Sequence, residues 1–266
     1  VLPLITLTTD FGTRDAYLAA MKGTLLAMVP EARLVDISHE IAPQDVMEAA
    51  FVLRQAFPFF PAGTVHLVVV DPGVGTLRRA LALQQGDHRF VGPDNGLFSL
   101  LFNGEPPEAL VVLDKAAYWR VPVPETTFHG RDVFAPVAAH LAAGRSLAEV
   151  GTSVEALLPL HWPRPVADAE GVRGWVLHID RFGNCITNIA WAEFETWRAQ
   201  RRVRGYIGNT ILRGLYSTYG AVAPGEPLLL FNSSRLLEVA VHGGDAAALL
   251  GIRKGDSLNI VFEDER

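Results

Sequence analysis

Asp71 closes the run Thr64-Val-His-Leu-Val-Val-Val70 and opens the turn Asp71-Pro-Gly-Val-Gly-Thr-Leu-Arg78. A carboxylate at the carboxyl end of a buried strand, followed by a Gly/Pro turn, is where open α/β sheets concentrate their chemistry. Gly73 and Gly75 let Arg78 fold back on Asp71; the pair either serves a reaction or only satisfies a half-buried carboxylate. His129, in Thr127-Phe-His-Gly-Arg-Asp132, precedes an expected helix start. It can act as a general base, donate a hydrogen bond to a bound molecule, or simply satisfy its turn.

Two carboxylates, Asp10 and Asp15, flank a glycine turn after a first strand. One carboxylate can accept two hydrogen bonds at once, which suits a vicinal diol such as that of a ribose. The alternative is a strand-end Asp plus a helix cap at Asp15. In Asp180-Arg-Phe-Gly-Asn184, Asn184 offers a donor and an acceptor that match an adenine edge, or the segment is a hairpin loop bent at Gly183. Asn232-Ser-Ser234 is likewise a plain turn or a row of hydrogen-bond donors. The 71–78 run lacks the Gly-Lys-Ser/Thr ending of a phosphate-binding loop. Asp10, Asp71 and His129 could together ligate a divalent ion, although no His-x-His or His-Glu-x-x-His spacing supports this.

These residues need a scaffold. Strands are expected at 4–9, 33–37 and 64–70, and helices at 15–28 and 44–57. This β-α-β alternation predicts a mainly parallel sheet with helices on both faces, a three-layer α/β domain. Further strands are expected at 80–84, 89–91 and 109–113, and a helix at 133–143 with Asp132 as its cap and Pro136 in its first turn. The alternative for Arg131 and Asp132 is that they simply pair with each other. A proline-bearing stretch follows, read as a linker over 159–171 between a domain at 1–158 and another at 172–266. In the second domain, short strand candidates at 174–179, 185–189, 202–207, 227–231, 236–241 and 258–262 predict a small β-barrel.

Hydrophobic residues make up 49% and charged residues 20% of the chain, enough for a proper core. The formal charge of −6 disfavours a nucleic-acid partner, and no apolar run is long enough to span a bilayer. Cys185 is the single cysteine, and no signal peptide is evident. Both fit a cytoplasmic setting.

Six motifs occur in order: Thr-Thr-Asp-Phe-Gly (8–12), Asp-Pro-Gly-Val-Gly-x-x-Arg (71–78), Gly-Pro-Asp-Asn-Gly (92–96), Phe-His-Gly-Arg-Asp-x-Phe (128–134), Asp-x-Phe-Gly-Asn (180–184) and Asn-Ser (232–233). Together they resemble the S-adenosylmethionine hydroxide adenosyltransferases, hydrolases related to the fluorinating and chlorinating enzymes. The resemblance implies an N-terminal α/β domain and a C-terminal β-barrel domain. It implies hydrolysis of S-adenosyl-L-methionine to adenosine and L-methionine, by in-line attack of water or hydroxide at ribose C5′. It also implies a homotrimer, with the small-molecule substrate held between the N-terminal domain of one subunit and the C-terminal domain of the next, and neither cofactor nor metal. Under it, Asp71, Arg78 and His129 would hold the attacking water, and Asp10 would grip the ribose diol. Asp15 and Asp180 would face the methionine end, Asn184, Tyr219 and Ser233 the adenine side, and Phe128 and Phe182 would complete the substrate contacts. The fluorinase has Tyr at the position of Asp71, Ser at that of Gly130, and an aromatic at that of Gln44. The chain therefore resembles the water-using branch. The rival expectations are a non-catalytic sensor of adenosine or S-adenosylmethionine and a metal-dependent hydrolase.

Overall fold

The structure, a computed structural model, describes residues 2–264. Its chain divides into two compact units at the bond between His161 and Trp162.

The first unit contains strands β1 (Leu4–Thr9), β2 (Arg33–Ser38), β3 (Val65–Val69), β4 (Ala80–Gln85), β5 (His88–Pro93), β6 (Ala109–Val112) and β7 (Thr152–Ser153), and helices α1 (Tyr17–Met28), α2 (Val46–Ala56), α3 (Leu97–Leu101), α4 (Ala135–Ala142) and α5 (Leu147–Val150). One sheet carries all seven strands in the order β2-β1-β3-β5-β4-β6-β7. Its site-bearing half, β2-β1-β3-β5, is parallel. The remaining pairs are antiparallel, because a two-residue turn at Gly86-Asp87 sends the chain straight back from β4 into β5. Every residue of β3 is buried, as a central parallel strand covered on both faces requires. Leu18, Met21 and Leu25 form the buried stripe of α1 and meet Ile5, Leu7, Val65, Leu67 and Val137 in the core.

Two expected helix caps are replaced. Ala16, not Asp15, precedes α1, and it makes no side-chain cap; Asp15 stays exposed in the loop. Asp132 does not cap the helix over 133–143. It lies inside a wide π-type turn, Gly130–Phe134, that leads into α4, and its side chain is fully buried. A turn of this kind carries one residue more than a regular helical turn. Asp45 does cap its helix, α2, accepting the Glu48 N–H at 2.9 Å.

The second unit contains β8 (Val166–Ala167), β9 (Gly171–Ile179), β10 (Cys185–Ala190), β11 (Arg202–Ile207), β12 (Thr210–Arg213), β13 (Pro227–Phe231), β14 (Leu236–Val241) and β15 (Ser257–Glu263), with the helices α6 (Trp191–Arg198) and α7 (Ala246–Leu250). The strand order is β12-β11-β15-β9-β10-β14-β13, with β8 attached to β9, and every pair is antiparallel. Tyr216, just beyond β12, bridges to Leu230 of β13, so the sheet curls into a nearly closed barrel. Val172, Val176, Ile189, Val203, Leu229, Leu237, Leu258 and Ile260 fill it. The stretch 159–171 thus supplies strand β8 as well as the connection. Among the described residues no helix is long and apolar enough to cross a membrane.

Candidate active site

Parallel strands end on a common rim. Thr8 pairs with Ser38 and Thr9 with Val69, so Asp10, His39 and Asp71 follow the ends of three adjacent strands. Hydrogen bonds knit the rim: the Thr9 hydroxyl lies 2.8 Å from Nδ1 of His39, and Asp10 Oδ2 accepts the Gln44 N–H at 2.8 Å. The 92–96 segment at the end of β5 pins both ends of the Asp71–Arg78 loop. Asn95 Nδ2 donates to the Val70 carbonyl at 2.8 Å, and Arg79 Nε donates to Asp94 Oδ2 at 2.7 Å. Gly75 allows the loop its course. Its φ is +76°, and a Cβ there would sit 2.4 Å from the Thr126 carbonyl oxygen.

Arg78 folds back on Asp71. Its Nε donates to Oδ1 at 2.9 Å and to Oδ2 at 3.0 Å, and its Nη2 also donates to Oδ2. The two side chains are only 9% and 6% exposed, so the pair is shielded from bulk water, where charge-assisted hydrogen bonds hold geometry best. The Arg78 guanidinium also lies 5.1 Å from the Phe134 ring centroid, which fixes its plane. The same Nη2 lies 2.9 Å from Nδ1 of His129.

That contact assigns the histidine tautomer. A guanidinium nitrogen can only donate, so Nδ1 of His129 is the acceptor. Burial, then the Arg78 charge, hold the His129 imidazole below its ordinary pKa, against the opposing pull of Asp71 and Asp132. The ring is therefore neutral near pH 7 and carries its proton on Nε2, which has no hydrogen-bond partner among the described residues. The site presents a carboxylate acceptor at Asp71 and an N–H donor at His129, both set by one arginine.

Asp132 anchors the segment from below. It accepts from Arg120 and Arg131 side chains and from the Glu125 N–H at 3.1 Å. Those hydrogen bonds outweigh its burial and hold its carboxyl well below the usual range. Phe128, next to His129, packs edge-on against Phe11 and Tyr17, with ring centroids 6.0 and 5.2 Å away. Asp15 makes no hydrogen bond among the described residues.

In the second unit, Asp180 and Asn184 share one turn. Asp180 Oδ1 accepts the Phe182 and Asn184 N–H groups, each at 2.9 Å, and its Oδ2 accepts Asn184 Nδ2 at 2.9 Å. Gly183 is required at the bend, where φ is +81° and a Cβ would collide with Asp245. Phe182 is 76% exposed at the tip. Tyr219 donates to Glu238, which also accepts from Asn232, the neighbour of Ser233. Asn232 and Ser233 line a cleft of about 430 Å³ together with Trp191, Tyr216, Phe231 and Arg235. Burial, aided by Asp245, Asp180 and Glu238, pushes the Cys185 thiol up to about 12, so it is no nucleophile.

The structure thus brings Asp71, Arg78 and His129 into direct contact, with Asp10 on the same rim and Phe128 alongside. It joins Asp180 to Asn184, and joins Tyr219 to the Ser233 turn through Glu238. Sequence reasoning found the 92–96 motif without giving Asp94 and Asn95 a role, and it missed Glu238. The available signal was a lone acid inside the apolar run Leu236-Leu-Glu-Val-Ala-Val241.

An α/β unit with an acid–arginine–histidine cluster at its strand ends, followed by a small barrel, defines a two-part enzyme architecture. The sequence matches the family descriptions "SAM hydroxide adenosyltransferase N-terminal domain" over residues 5–151 and "SAM hydroxide adenosyltransferase C-terminal domain" over residues 174–259. The chain belongs to the SAM hydroxide adenosyltransferase family. It is 42% identical to the (R)-S-adenosyl-L-methionine hydrolase of Salinispora tropica, over 97% of both chains. It is 28% identical to a fluorinase of an Actinoplanes species, again over 97% of both. Among solved structures it is similar to an uncharacterized conserved protein from Thermotoga maritima, with a TM-score of 0.88 at 36% identity, covering 96% of this chain and 99% of that one.

Proposed function

We propose that this chain hydrolyses S-adenosyl-L-methionine to adenosine and L-methionine, using the Asp71–Arg78–His129 cluster to hold the attacking water. The relatives at 41–42% identity are named as hydrolases of this sulfonium, in its R form. The observation that carries the mechanism is the double grip of Arg78, on both oxygens of Asp71 and on Nδ1 of His129.

Attack at C5′ forms a C–O bond and breaks the C–S bond, whose electron pair returns to a positively charged sulfur. The leaving group is a neutral thioether, so no general acid is needed. What the site must supply is a water in line with the C–S bond and an acceptor for its proton. Asp71 is that acceptor in our reading. His129, with its proton on Nε2, donates to a lone pair of the water and leaves the other to attack. Asp10 takes the ribose diol, and Phe128 packs beside the nucleoside. Asp15 and Asp180 face the amino-acid end, while Asn184, Phe182, Tyr219 and Ser233 serve the ligand from the barrel. Following the resemblance, the two sets meet across the subunit boundaries of a homotrimer that works in the cytoplasm without cofactor or metal. Among the described residues no group of three His, Cys, Asp or Glu could hold a metal ion.

The test is to incubate the purified protein with S-adenosylmethionine in ¹⁸O-water. Adenosine labelled at its 5′-hydroxyl, with unlabelled methionine, is the expected result, and it should persist after exhaustive chelation. Intact ligand recovered from a tight complex would instead identify a sensor, and loss of turnover on chelation a metalloenzyme. Supplying the R and S sulfonium epimers separately shows which one is taken.

A further inference from the structure

Glu238 lies on β14 and is only 2% exposed. Burying a carboxylate is costly unless it is hydrogen-bonded or paired. Here both bonds come from neutral donors, and no cation pairs with it among the described residues. Tyr219 Oη donates to Oε1 at 2.8 Å, and Asn232 Nδ2 donates to Oε2 at 3.1 Å. Burial and the adjacent carboxylate raise the Tyr219 phenol, so it remains a donor at all working pH values.

The other end of the Asn232 carboxamide is also committed. Its Oδ1 accepts the Ser234 N–H at 3.0 Å and the Leu236 N–H at 3.2 Å. With its amide nitrogen on a carboxylate and its oxygen on two N–H groups, Asn232 has one satisfied orientation. Glu238 therefore holds Asn232, and Asn232 holds the turn that presents Ser233 to the 430 Å³ cleft. The same carboxylate holds Tyr219 from its second oxygen. Asp180 adds a negative charge within electrostatic reach of both Glu238 and Tyr219, which places the Asp180–Asn184 turn in the same neighbourhood.

We propose that Glu238 is a positioning residue for the substrate: it is the buried hub on which Tyr219 and the Asn232–Leu236 turn are hung, so that the barrel's ligand-facing groups move as one unit. This rests on the S-adenosylmethionine hydrolase reading above.

The test is steady-state kinetics of Glu238→Gln, Tyr219→Phe and the double variant. Gln keeps the size of Glu but brings one acceptor and one donor, so the Tyr219 hydroxyl must turn from donor to acceptor and a charge-assisted bond is lost. Losing one such bond should raise KM for S-adenosylmethionine about threefold to tenfold, with kcat unchanged because Asp71, Arg78 and His129 are untouched. If Glu238 acts through Tyr219, the double variant should fall short of the product of the two single effects. A merely structural role would lower the melting temperature without that coupling. Unchanged KM in Glu238→Gln, or effects that simply multiply, would overturn the proposal. If Glu238→Gln does not fold, Tyr219→Phe and Asn232→Ala, both altered nearer the surface, carry the test. Because Tyr219 serves the ligand in its own right, the readout is their coupling through Glu238: KM effects of the pair that fall short of the product of the single effects support the hub, and effects that multiply overturn it. A wild-type protein that neither binds nor consumes S-adenosylmethionine would bring down the functional reading itself; a hydrolase indifferent to position 238 would bring down only the hub.

Discussion

Nη2 of Arg78 stands 2.9 Å from Nδ1 of His129 while Nε of the same side chain grips Asp71. One planar guanidinium thereby sets the orientation of the acceptor and the tautomer of the donor. A lysine has the charge but neither the fork nor the plane. Arg78→Lys should therefore behave like Asp71→Ala and His129→Ala, with kcat lowered by roughly two to four orders of magnitude. KM should change little, because the residues proposed to hold the nucleoside lie elsewhere. Near-normal kcat in all three variants would remove the cluster from the reaction.

The His129 imidazole should titrate below its ordinary value of about 6.5, since burial and Arg78 both oppose its charge. A second proton would have to sit on Nδ1, where Arg78 already donates. NMR of the ring across pH should give a midpoint below 6.5, with His129 neutral above it. A midpoint above 6.5 would contradict the tautomer assignment.

Asp10 should matter to binding and not to the chemical step. Losing hydrogen bonds to a charged acceptor costs about 1.5–3 kcal/mol, so Asp10→Ala should weaken adenosine binding about tenfold to a hundredfold. Calorimetry with adenosine reads this directly, and a melt controls for the freed Gln44 N–H. Unaltered affinity would take the ribose away from Asp10.

His66 makes stability pH-dependent at a place remote from the reaction. It is fully buried beside Phe57, Phe60 and Phe90, with Nδ1 on the Thr6 hydroxyl and Nε2 3.1 Å from His88 Nδ1. Burial, then the His88 charge, lower its pKa to about 3. Between that value and about 6.5 the unfolded chain binds a proton that the folded chain refuses. Stability should therefore be full above pH 6.5 and fall by about 1.4 kcal/mol for each unit of acidification from there down to about 3. Denaturant melts of wild type and His66→Phe should show a shallower acid slope in the variant. Parallel slopes would show that His66 is not the source.

The strands that carry the site were legible because β1 and β3 are runs of strand-forming residues followed by an acid, and the parallel order β2-β1-β3 follows from the helices between them. The contact of Asp71 with Arg78 was legible from two glycines between them. The Asp132 role was legible in part: pairing with Arg131 was one of its two readings and is what the structure shows, whereas the cap was the other, and only the tertiary partners Arg120 and Glu125 make it a buried anchor. Asp15 failed for the opposite reason. It has a capping residue's position but lies one residue too early, and α1 begins without a side-chain cap. Glu238 was hidden because its two partners, Tyr219 and Asn232, come from a separate loop and from the turn before its own strand. The expected division at 1–158, 159–171 and 172–266 stands beside a break at His161, and the short strand β8 makes part of that stretch a member of the barrel sheet.

The wide turn at Gly130–Phe134 welds the imidazole's aim to the interior of the first unit. Val133 and Phe134 within it belong to the hydrophobic core, and Phe134 also underlies the Arg78 guanidinium. Each residue in a regular helix rotates the chain by about 100°, so a chain shortened by a single residue here should lose its fold and its Arg78–His129 contact together.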